Sequence, residues 1–269
     1  MSSSPVALVT GASSGIGQAV AQRLAQRGYH VFGTSRNADL SASSTTGVEL
    51  LTLDVTLDDS VTTCVQTVLE RAGRIDVLVN NAGYALLGAV EETTLAEAHA
   101  VFETDFFGAV RMTQAVLPTM RSQQKGRIIL MSVILGLIGQ PFGAFLSSAK
   151  HALEGFGESL TYEVQPLGIS VSLIEPSFVA TNAGRALQRT MHQIDAYAPR
   201  REKVRAKFLH DLQSGIAPEQ VAQVVERIVD APSPRLRYPV GTQARLTPTM
   251  KQLIPQGMFA SVARNAYGL

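Results

Sequence analysis

The chain has 269 residues, of which 45% are hydrophobic and 17% are charged, and its formal net charge is +1. This length and composition are typical of a soluble α/β domain with a substantial core. The near-neutral charge gives no reason to expect a nucleic-acid or membrane partner. The lone Cys64 excludes an internal disulfide, and neither a signal peptide nor an apolar run of about 18 residues is found, so we expect a cytoplasmic protein.

Short apolar runs alternate with longer segments of helical periodicity. The predicted strands are Val6–Thr10, Val31–Thr34, Val48–Leu53, Ile75–Val79, Arg127–Met131, Ile169–Ile174 and Arg237–Val240. The predicted helices include Ile16–Gln26, Ser60–Arg71, Ala96–Met120, Phe145–Gln165 and Ala217–Ala231. Strands that are apolar on both faces and alternate with helices predict a doubly wound parallel sheet in a three-layer α/β/α fold. Ligands of such folds bind at the carboxyl ends of the strands.

The chain organisation favours one domain. No linker, repeat or composition shift divides residues 1–269, which we interpret as a single domain. Residues 184–215 interleave Arg, Gln, Lys and His and interrupt the alternation of strands and helices. We expect them to form a helical flap over the ligand crevice.

A glycine-rich turn, Thr10–Gly17, follows the first strand and opens the first helix. Glycines permit a tight turn and a close approach of the backbone to a ligand, and the helix N-terminus offers unpaired N–H groups to a pyrophosphate. The residues expected to cradle the phosphates are Gly11, Ser13, Ser14, Gly15, Ile16 and Gly17. This context predicts a dinucleotide site, and we predict no metal site.

Three further motifs accompany the G-x-x-x-G-x-G turn. They are Asp54-Val55 after the third strand, Asn80-Asn81-Ala82-Gly83 after the fourth, and Pro176–Thr181 after the sixth. In this order the motifs resemble those of the short-chain dehydrogenase/reductase family over nearly the whole chain, which implies a Rossmann-type fold and a nicotinamide dinucleotide. The positions that the resemblance assigns to the cofactor are Asp54 and Val55 at the adenine, Asn81, Ala82 and Gly83 at the adenosine ribose, and Pro176 and Thr181 at the nicotinamide carboxamide and the phosphates.

The end of the second strand distinguishes NAD from NADP. A carboxylate there accepts hydrogen bonds from the ribose 2′-hydroxyl, whereas an arginine favours a 2′-phosphate. This chain reads Gly33-Thr34-Ser35-Arg36-Asn37, with Arg36 and no carboxylate. We therefore predict NADP(H) as the cofactor.

The resemblance also implies four catalytic positions for carbonyl reduction or alcohol oxidation. In the family a tyrosine transfers the proton, a lysine four residues later lowers the tyrosine pKa, a serine orients the substrate oxygen, and an asparagine holds a water. The i, i+4 spacing places tyrosine and lysine on one helix face. In this chain the positions of tyrosine, lysine, serine and asparagine are occupied by Leu146, Lys150, Val133 and Asp105, so only the lysine is kept.

No other side chain is an evident substitute for the tyrosine. Tyr162 lies twelve residues beyond Lys150, which is about 18 Å along a helix. Ser132 should face the opposite side of its strand from Val133. Tyr84 follows Gly83 towards the crevice, but nothing in the sequence places its hydroxyl at the nicotinamide. Losing the general acid alone costs about 10²–10⁴-fold in rate, so we expect weak or absent native redox activity.

The polar-to-apolar changes in one pocket suggest an active site that was redesigned by engineering or diverted to another function. Val133 and Leu146, with Leu130 and Phe145, would surround Lys150 with hydrocarbon. Desolvation lowers a lysine pKa, and a neutral amine can form a Schiff base with a carbonyl. If Asp105 pairs with the lysine, the amine stays charged. If Asp105 lies apart, its pKa rises and it becomes a candidate general base.

Three functions therefore stay open. We favour an NADP(H)-binding scaffold with little or no redox activity, over a lysine- or aspartate-dependent enzyme without redox chemistry and a non-enzymatic dinucleotide-binding protein. The expected ligand is a small hydrophobic molecule. By resemblance, the helices Ala96–Met120 and Phe145–Gln165 pair across a two-fold axis in a homodimer or homotetramer. Arg237–Gly241 is similar to the end of the family's steroid- and retinol-type members.

Overall fold

A parallel sheet organises the computed structural model, which describes residues 4–37, 47–181 and 187–269. The strands in these ranges are β1 (Val6–Val9), β2 (His30–Ser35), β3 (Val48–Thr52), β4 (Val77–Asn80), β5 (Leu86–Leu87), β6 (Gly126–Met131), β7 (Ile169–Pro176), β8 (Gln188–Arg189) and β9 (Arg237–Val240). Within the described part of the chain, seven of them form one sheet in the order β3-β2-β1-β4-β6-β7-β9. All neighbouring strands of this sheet run parallel.

Helices cover both faces of the sheet. They are α1 (Gly15–Gln26), α2 (Asp58–Ala72), α3 (Leu95–Phe102), α4 (Gly108–Gln123), α5 (Ala144–Val164), α6 (Ala198–Gln213), α7 (Pro218–Asp230), α8 (Thr242–Leu253) and α9 (Gln256–Ala266). Side chains of a strand alternate between its faces, so Val6 and Leu8 of β1 join a core with α2, α4 and α5. Ala7 and Val9 join a second core with α1 and α7. The predicted doubly wound, three-layer fold is confirmed.

The helix predicted over Ala96–Met120 differs from the structure in one respect. The chain is helical there, but a π-helical turn at Glu103–Phe107 separates α3 from α4. A π turn inserts extra backbone into a helix and is frequent at functional sites. The spacing of apolar residues does not reveal it, and Asp105 lies within it.

Two strands and two helices were not predicted from the sequence. The short strands β5 and β8 pair in parallel beside the main sheet. The segment after β9 forms α8 and α9, although it contains Pro248 and Pro255. No helix in the described ranges is long and apolar enough to cross a membrane. Residues 184–186 of the predicted flap lie outside the described residues, and the part of it that is described contains β8 and α6.

Candidate functional site

A cavity of about 880 Å³ at the carboxyl ends of the sheet strands brings the predicted site residues together. The predicted cofactor residues that line it are Gly11, Ser13, Ser14, Gly15, Ile16, Arg36, Asp54, Val55, Asn81, Ala82, Gly83, Lys150, Pro176 and Thr181. We call this part the cofactor end. Asp105, Val133, Leu146 and Lys150 line the same cavity and form what we call the catalytic end. Gly17 does not line the cavity and is buried in α1.

The glycine turn at the cofactor end is held by the loop that follows β4. The Asn81 side-chain amide donates to the carbonyl oxygens of Thr10 at 2.9 Å and Gly11 at 3.1 Å. The Thr10 hydroxyl accepts the backbone N–H groups of Asn81 at 2.9 Å and Ala82 at 3.0 Å. Gly11 has a φ of +65°, and a Cβ at Gly17 would meet the Gly11 carbonyl oxygen. Both positions therefore require glycine.

The first turn of α1 is open to an anion. Ser14 begins the helix with an extended backbone, its side chain makes no capping hydrogen bond, and no acidic residue occupies the first turn. The helix therefore presents unpaired N–H groups and the positive end of its dipole at the cavity. This arrangement suits a pyrophosphate.

Arg36 follows β2 and lines the cavity with an exposed side chain. Its neighbour in the cavity is Asp54, whose carboxylate accepts hydrogen bonds from the Thr56 hydroxyl at 2.7 Å and the Thr56 N–H at 2.9 Å. These hydrogen bonds, and more weakly the Arg36 charge, lower the Asp54 pKa. Ser35 and Asn37, rather than carboxylates, flank the arginine, so the end of β2 suits a 2′-phosphate.

Lys150 and Asp105 form a buried ion pair at the catalytic end. Lys150 Nζ lies 3.0 Å from Asp105 Oδ1 and donates to the Met131 carbonyl oxygen at 3.2 Å. Asp105 Oδ2 accepts the Tyr84 N–H at 3.1 Å. The two side chains are 9% and 2% exposed. Of the two arrangements that the sequence left open, the structure has the paired one.

The surroundings of Asp105 shift the pKa of its carboxyl group in opposite directions. Burial raises the Asp105 pKa, whereas the Lys150 charge and the Tyr84 N–H lower it, and the net direction is upwards. The π turn between α3 and α4 presents this carboxylate to Lys150 on α5. The buried carboxylate is therefore held by its two partners at the wall of the cavity.

Val133 and Leu146 give the catalytic end an apolar wall. They pack in one cluster whose other buried members include Ala244 from α8. The prediction that Leu130 and Phe145 share this wall is wrong. Leu130 points into the core between the sheet and α5, and Phe145 is not among the residues that line the cavity. Strand and helix geometry send these two side chains in other directions although they are close to Lys150 in sequence.

A second set of buried charges lies one turn after Lys150 on α5. Arg237 Nε lies 3.2 Å from Glu154 and 3.5 Å from Glu175, and its Nη2 lies 2.7 Å from the more exposed Glu158. Burial and then the Glu154 charge raise the Glu175 pKa to about 7. The Ser132 hydroxyl points towards Glu154, away from the cavity wall formed by Val133, as strand alternation predicts. Sequence reasoning missed this cluster because its members lie on separate elements.

The flap helix α6 supplies a further wall that sequence reasoning missed. Phe178, Phe208 and Leu212 line the cavity, and the two phenylalanine rings meet edge to face with centroids 5.4 Å apart. Phe208 and Leu212 are four residues apart in the sequence. This spacing places both on one face of a helix and could have identified them as part of an apolar wall. A buried ion pair between Arg201 of α6 and Glu92 ties this helix to the body of the protein.

The other candidate proton donors are Tyr84, His99 and His151, and of these Tyr84 lines the cavity. The Tyr84 ring packs beside Leu86 and Phe102, and burial followed by the Asp105 charge raises its pKa. His99 and His151 are exposed, and His151 Nδ1 lies 2.8 Å from the Ser147 carbonyl oxygen. The catalytic end thus consists of the Lys150–Asp105 ion pair and an apolar wall.

Comparisons with known proteins agree with this geometry. The family model described as short chain dehydrogenase matches residues 5–192. A 3-ketodihydrosphingosine reductase from Bacteroides thetaiotaomicron is 35% identical, over 98% of each chain. Retinol dehydrogenase 8 from Bos taurus is also 35% identical, over 93% of this chain and 86% of the bovine protein.

Solved structures share the fold over 88% to 100% of the chain. A short-chain dehydrogenase from Streptomyces avermitilis matches with a TM-score of 0.84 and 34% identity, covering 100% of this chain and 99% of its own. An enzyme of this type from Burkholderia phymatum, solved with NAD, matches in fold with a TM-score of 0.81 at 22% identity, covering 93% of this chain and 95% of its own. An alcohol dehydrogenase from Thermococcus sibiricus, solved with 5-hydroxy-NADP, matches with a TM-score of 0.72 at 25% identity, covering 88% and 95%.

Proposed function

The chain belongs to the short-chain dehydrogenase family, and we propose that it is an NADP(H)-binding member whose carbonyl and alcohol redox activity is weak or absent. The observation that carries this proposal is the Lys150–Asp105 ion pair beside an apolar wall. A lysine of this family normally works through a neighbouring tyrosine, and here Leu146 stands four residues before it. Leucine cannot transfer a proton.

The cofactor end supports dinucleotide binding. The open first turn of α1 would hold the pyrophosphate, and Arg36 would hold the 2′-phosphate that distinguishes NADP from NAD. Asp54 and Val55 would contact the adenine, and Lys150 would hold the nicotinamide ribose. When bound, the nicotinamide ring supplies or accepts a hydride.

The chain's own residues at the catalytic end are better suited to binding a substrate and excluding water than to transferring a proton. Val133 and Leu146 present hydrocarbon to a substrate, so they cannot orient its oxygen by hydrogen bonds. The Lys150 ammonium is held by Asp105 and the Met131 carbonyl oxygen. Because both contacts engage its Nζ atom, the amine is not free to attack a carbonyl, which weighs against the alternative in which it forms a Schiff base.

The second alternative, Asp105 as a general base, has one supporting observation. Burial raises the Asp105 pKa, which strengthens a carboxylate as a base. Its two oxygens, however, already accept from Lys150 and from the Tyr84 N–H. We rank this function, and a purely non-enzymatic dinucleotide-binding role, below the first proposal.

A small hydrophobic molecule is the ligand that the cavity suits. Apolar side chains line both the catalytic end and the flap helix α6, which we propose covers the cavity as part of the segment 184–215. Two relatives are named for 3-ketodihydrosphingosine and for retinol, both largely hydrocarbon. The single domain, the homodimer or homotetramer, the cytoplasmic location and an engineered origin of the altered positions stay predictions.

The proposal is tested by titrating the protein with NADPH and then assaying NADPH oxidation over a panel of ketones. We expect binding with oxidation at the rate of the buffer control. The triple variant Leu146→Tyr/Val133→Ser/Asp105→Asn should then gain at least about 10²-fold in rate. The matched control is Leu146→Phe with the same two other changes, which restores a ring without the hydroxyl and should gain little. Rapid ketone reduction by the unmodified protein, or a failure to bind NADPH, would contradict the proposal.

The choice of NADP over NAD is tested separately. Arg36→Gln should weaken NADPH binding by about tenfold, because it removes a charged hydrogen-bond donor, and should leave NADH binding unchanged. Arg121→Gln, an exposed arginine on α4, serves as the control. Equal losses for both nucleotides would refute the assignment.

The Schiff-base alternative has its own test. Borohydride trapping of a ketone adduct that is lost in Lys150→Ala would favour that alternative.

A further inference from the structure

Helices α8 and α9 carry an apolar surface that nothing in the described part of the chain covers. Leu246, Met250 and Leu253 follow one another at i, i+4 and i+7 on α8, and their exposures are 57%, 42% and 78%. Met258 and Val262 continue the pattern on α9, with exposures of 57% and 46%. Apolar residues at helical spacing usually face a core, whereas these five face outwards. We call these residues the C-terminal surface.

The same segment has charges of one sign. Between Gly241 and Leu269 the sequence contains Arg245, Lys251 and Arg264 and no Asp or Glu. Burial and then the charge of Asp211 on α6 raise the Tyr267 pKa, and Asp211 is itself paired with Lys207. The overall net charge of +1 conceals this local excess of positive charge.

The helix α8, which carries part of the C-terminal surface, packs through its opposite face against the apolar wall of the catalytic end. Ala244 of α8 is buried in the cluster that contains Leu146 and Val133. Lys251 Nζ donates to the Leu137 carbonyl oxygen at 2.8 Å, just beyond the short helical turn that carries Ile134 and Leu135. A molecule bound on α8 would therefore be next to the apolar wall of the cavity.

We propose that the C-terminal surface docks the protein on the face of an anionic lipid bilayer, next to the substrate cavity. Exposed aliphatic side chains flanked by cations and without carboxylates suit the headgroup region of such a bilayer. A second copy of the chain suits this surface less well, because the same segment of a two-fold partner offers these cations no Asp or Glu to pair with. A substrate that is largely hydrocarbon would partition into the bilayer beside the cavity, and this last point alone rests on the proposed function.

The proposal is tested by flotation with two kinds of vesicle, phosphatidylcholine alone and an equal mixture of phosphatidylcholine and phosphatidylglycerol. We expect the mixed vesicles to bind at least about tenfold more tightly. The triple variant Leu246→Ser/Met250→Ser/Leu253→Ser should lose at least tenfold in this binding. Leu57→Ser is the matched control, because Leu57 has the same 57% exposure as Leu246 and lies at the start of α2. It should bind as the unmodified protein does.

The charge component has its own variant. Arg245→Gln/Arg264→Gln should weaken binding to the mixed vesicles by about tenfold and leave binding to phosphatidylcholine unchanged. Absent binding, equal binding to both vesicles, or an unaffected triple variant would overturn the proposal. A change in the oligomeric state of the triple variant, measured by light scattering, would also overturn the proposal. Binding of polyglutamate by a protein that does not bind vesicles would overturn it as well. NADPH titration of the same samples keeps the two proposals apart, since vesicle binding does not require the nucleotide.

Discussion

The cofactor end and the catalytic end of the cavity are stabilised in different ways. At the cofactor end, neutral groups of two neighbouring loops hydrogen-bond to one another, as Asn81 does to Thr10 and Gly11. At the catalytic end, buried charges from distant elements meet, as Lys150 does with Asp105. The first depends on backbone conformation and the second on charge balance. Substitutions at the cofactor end should therefore act by disturbing the backbone conformation, and substitutions at the catalytic end by disturbing the charge balance.

The largest expected effect is on the charge balance of the catalytic end. Lys150→Met keeps an unbranched chain and leaves Asp105 without its cation in a buried place. Removing one partner of a buried pair costs about 3–5 kcal/mol, which urea unfolding at neutral pH would measure. The double variant Lys150→Met/Asp105→Asn should recover most of that loss. If the double variant is as unstable as the single one, packing rather than charge holds this end together.

The next effect is on the backbone of the cofactor end. Gly17→Val places carbon where the Gly11 carbonyl oxygen and the Asn81 amide lie, so the turn must open. Loss of one hydrogen bond to the charged pyrophosphate costs about 1.5–3 kcal/mol, or about 10–100-fold in affinity, which NADPH titration would detect. Gly155→Ala is the control, because a Cβ there meets nothing within 4 Å. Normal NADPH binding by the Gly17 variant would show that the turn is more plastic than its contacts indicate.

The smallest effect concerns the pH dependence of stability. The folded-state pKa of Glu175 is raised to about 7 by burial and by Glu154, above the ordinary glutamate value of 4.5. Between these two values the folded protein binds more protons than the unfolded chain, so its stability falls as the pH rises. Glu175→Gln should flatten this fall and stabilise the protein at pH values above about 7 by about 1–2 kcal/mol.

The control for this pH effect is the exposed member of the same cluster. Hydrogen bonding and charge from Arg237 lower the Glu158 pKa, so Glu158→Gln should leave the fall in stability between the two Glu175 pKa values in place. Chemical unfolding at a series of pH values measures both variants. A wild-type stability that rises steadily with pH over this window would be inconsistent with a protonated Glu175.

Sequence reasoning was most successful where function depends on local backbone. The strands and most helices are found within two residues of their predicted bounds, since apolar periodicity and glycine placement act over a few residues. It failed for the π turn that carries Asp105 and for the direction of Leu130. It also gave no prediction for the segment that forms α8 and α9.

The sequence by itself determined the fold, the family resemblance and the cofactor turn, because those depend on residues adjacent in the chain. It also predicted that Leu146 and Val133 stand at two of the family's catalytic positions. Only the tertiary structure decided that Asp105 pairs with Lys150, that Arg237 meets two buried glutamates, and that α8 lies beside the cavity. These contacts join residues far apart in sequence, so folding of the whole sheet, rather than any local pattern, brings them together.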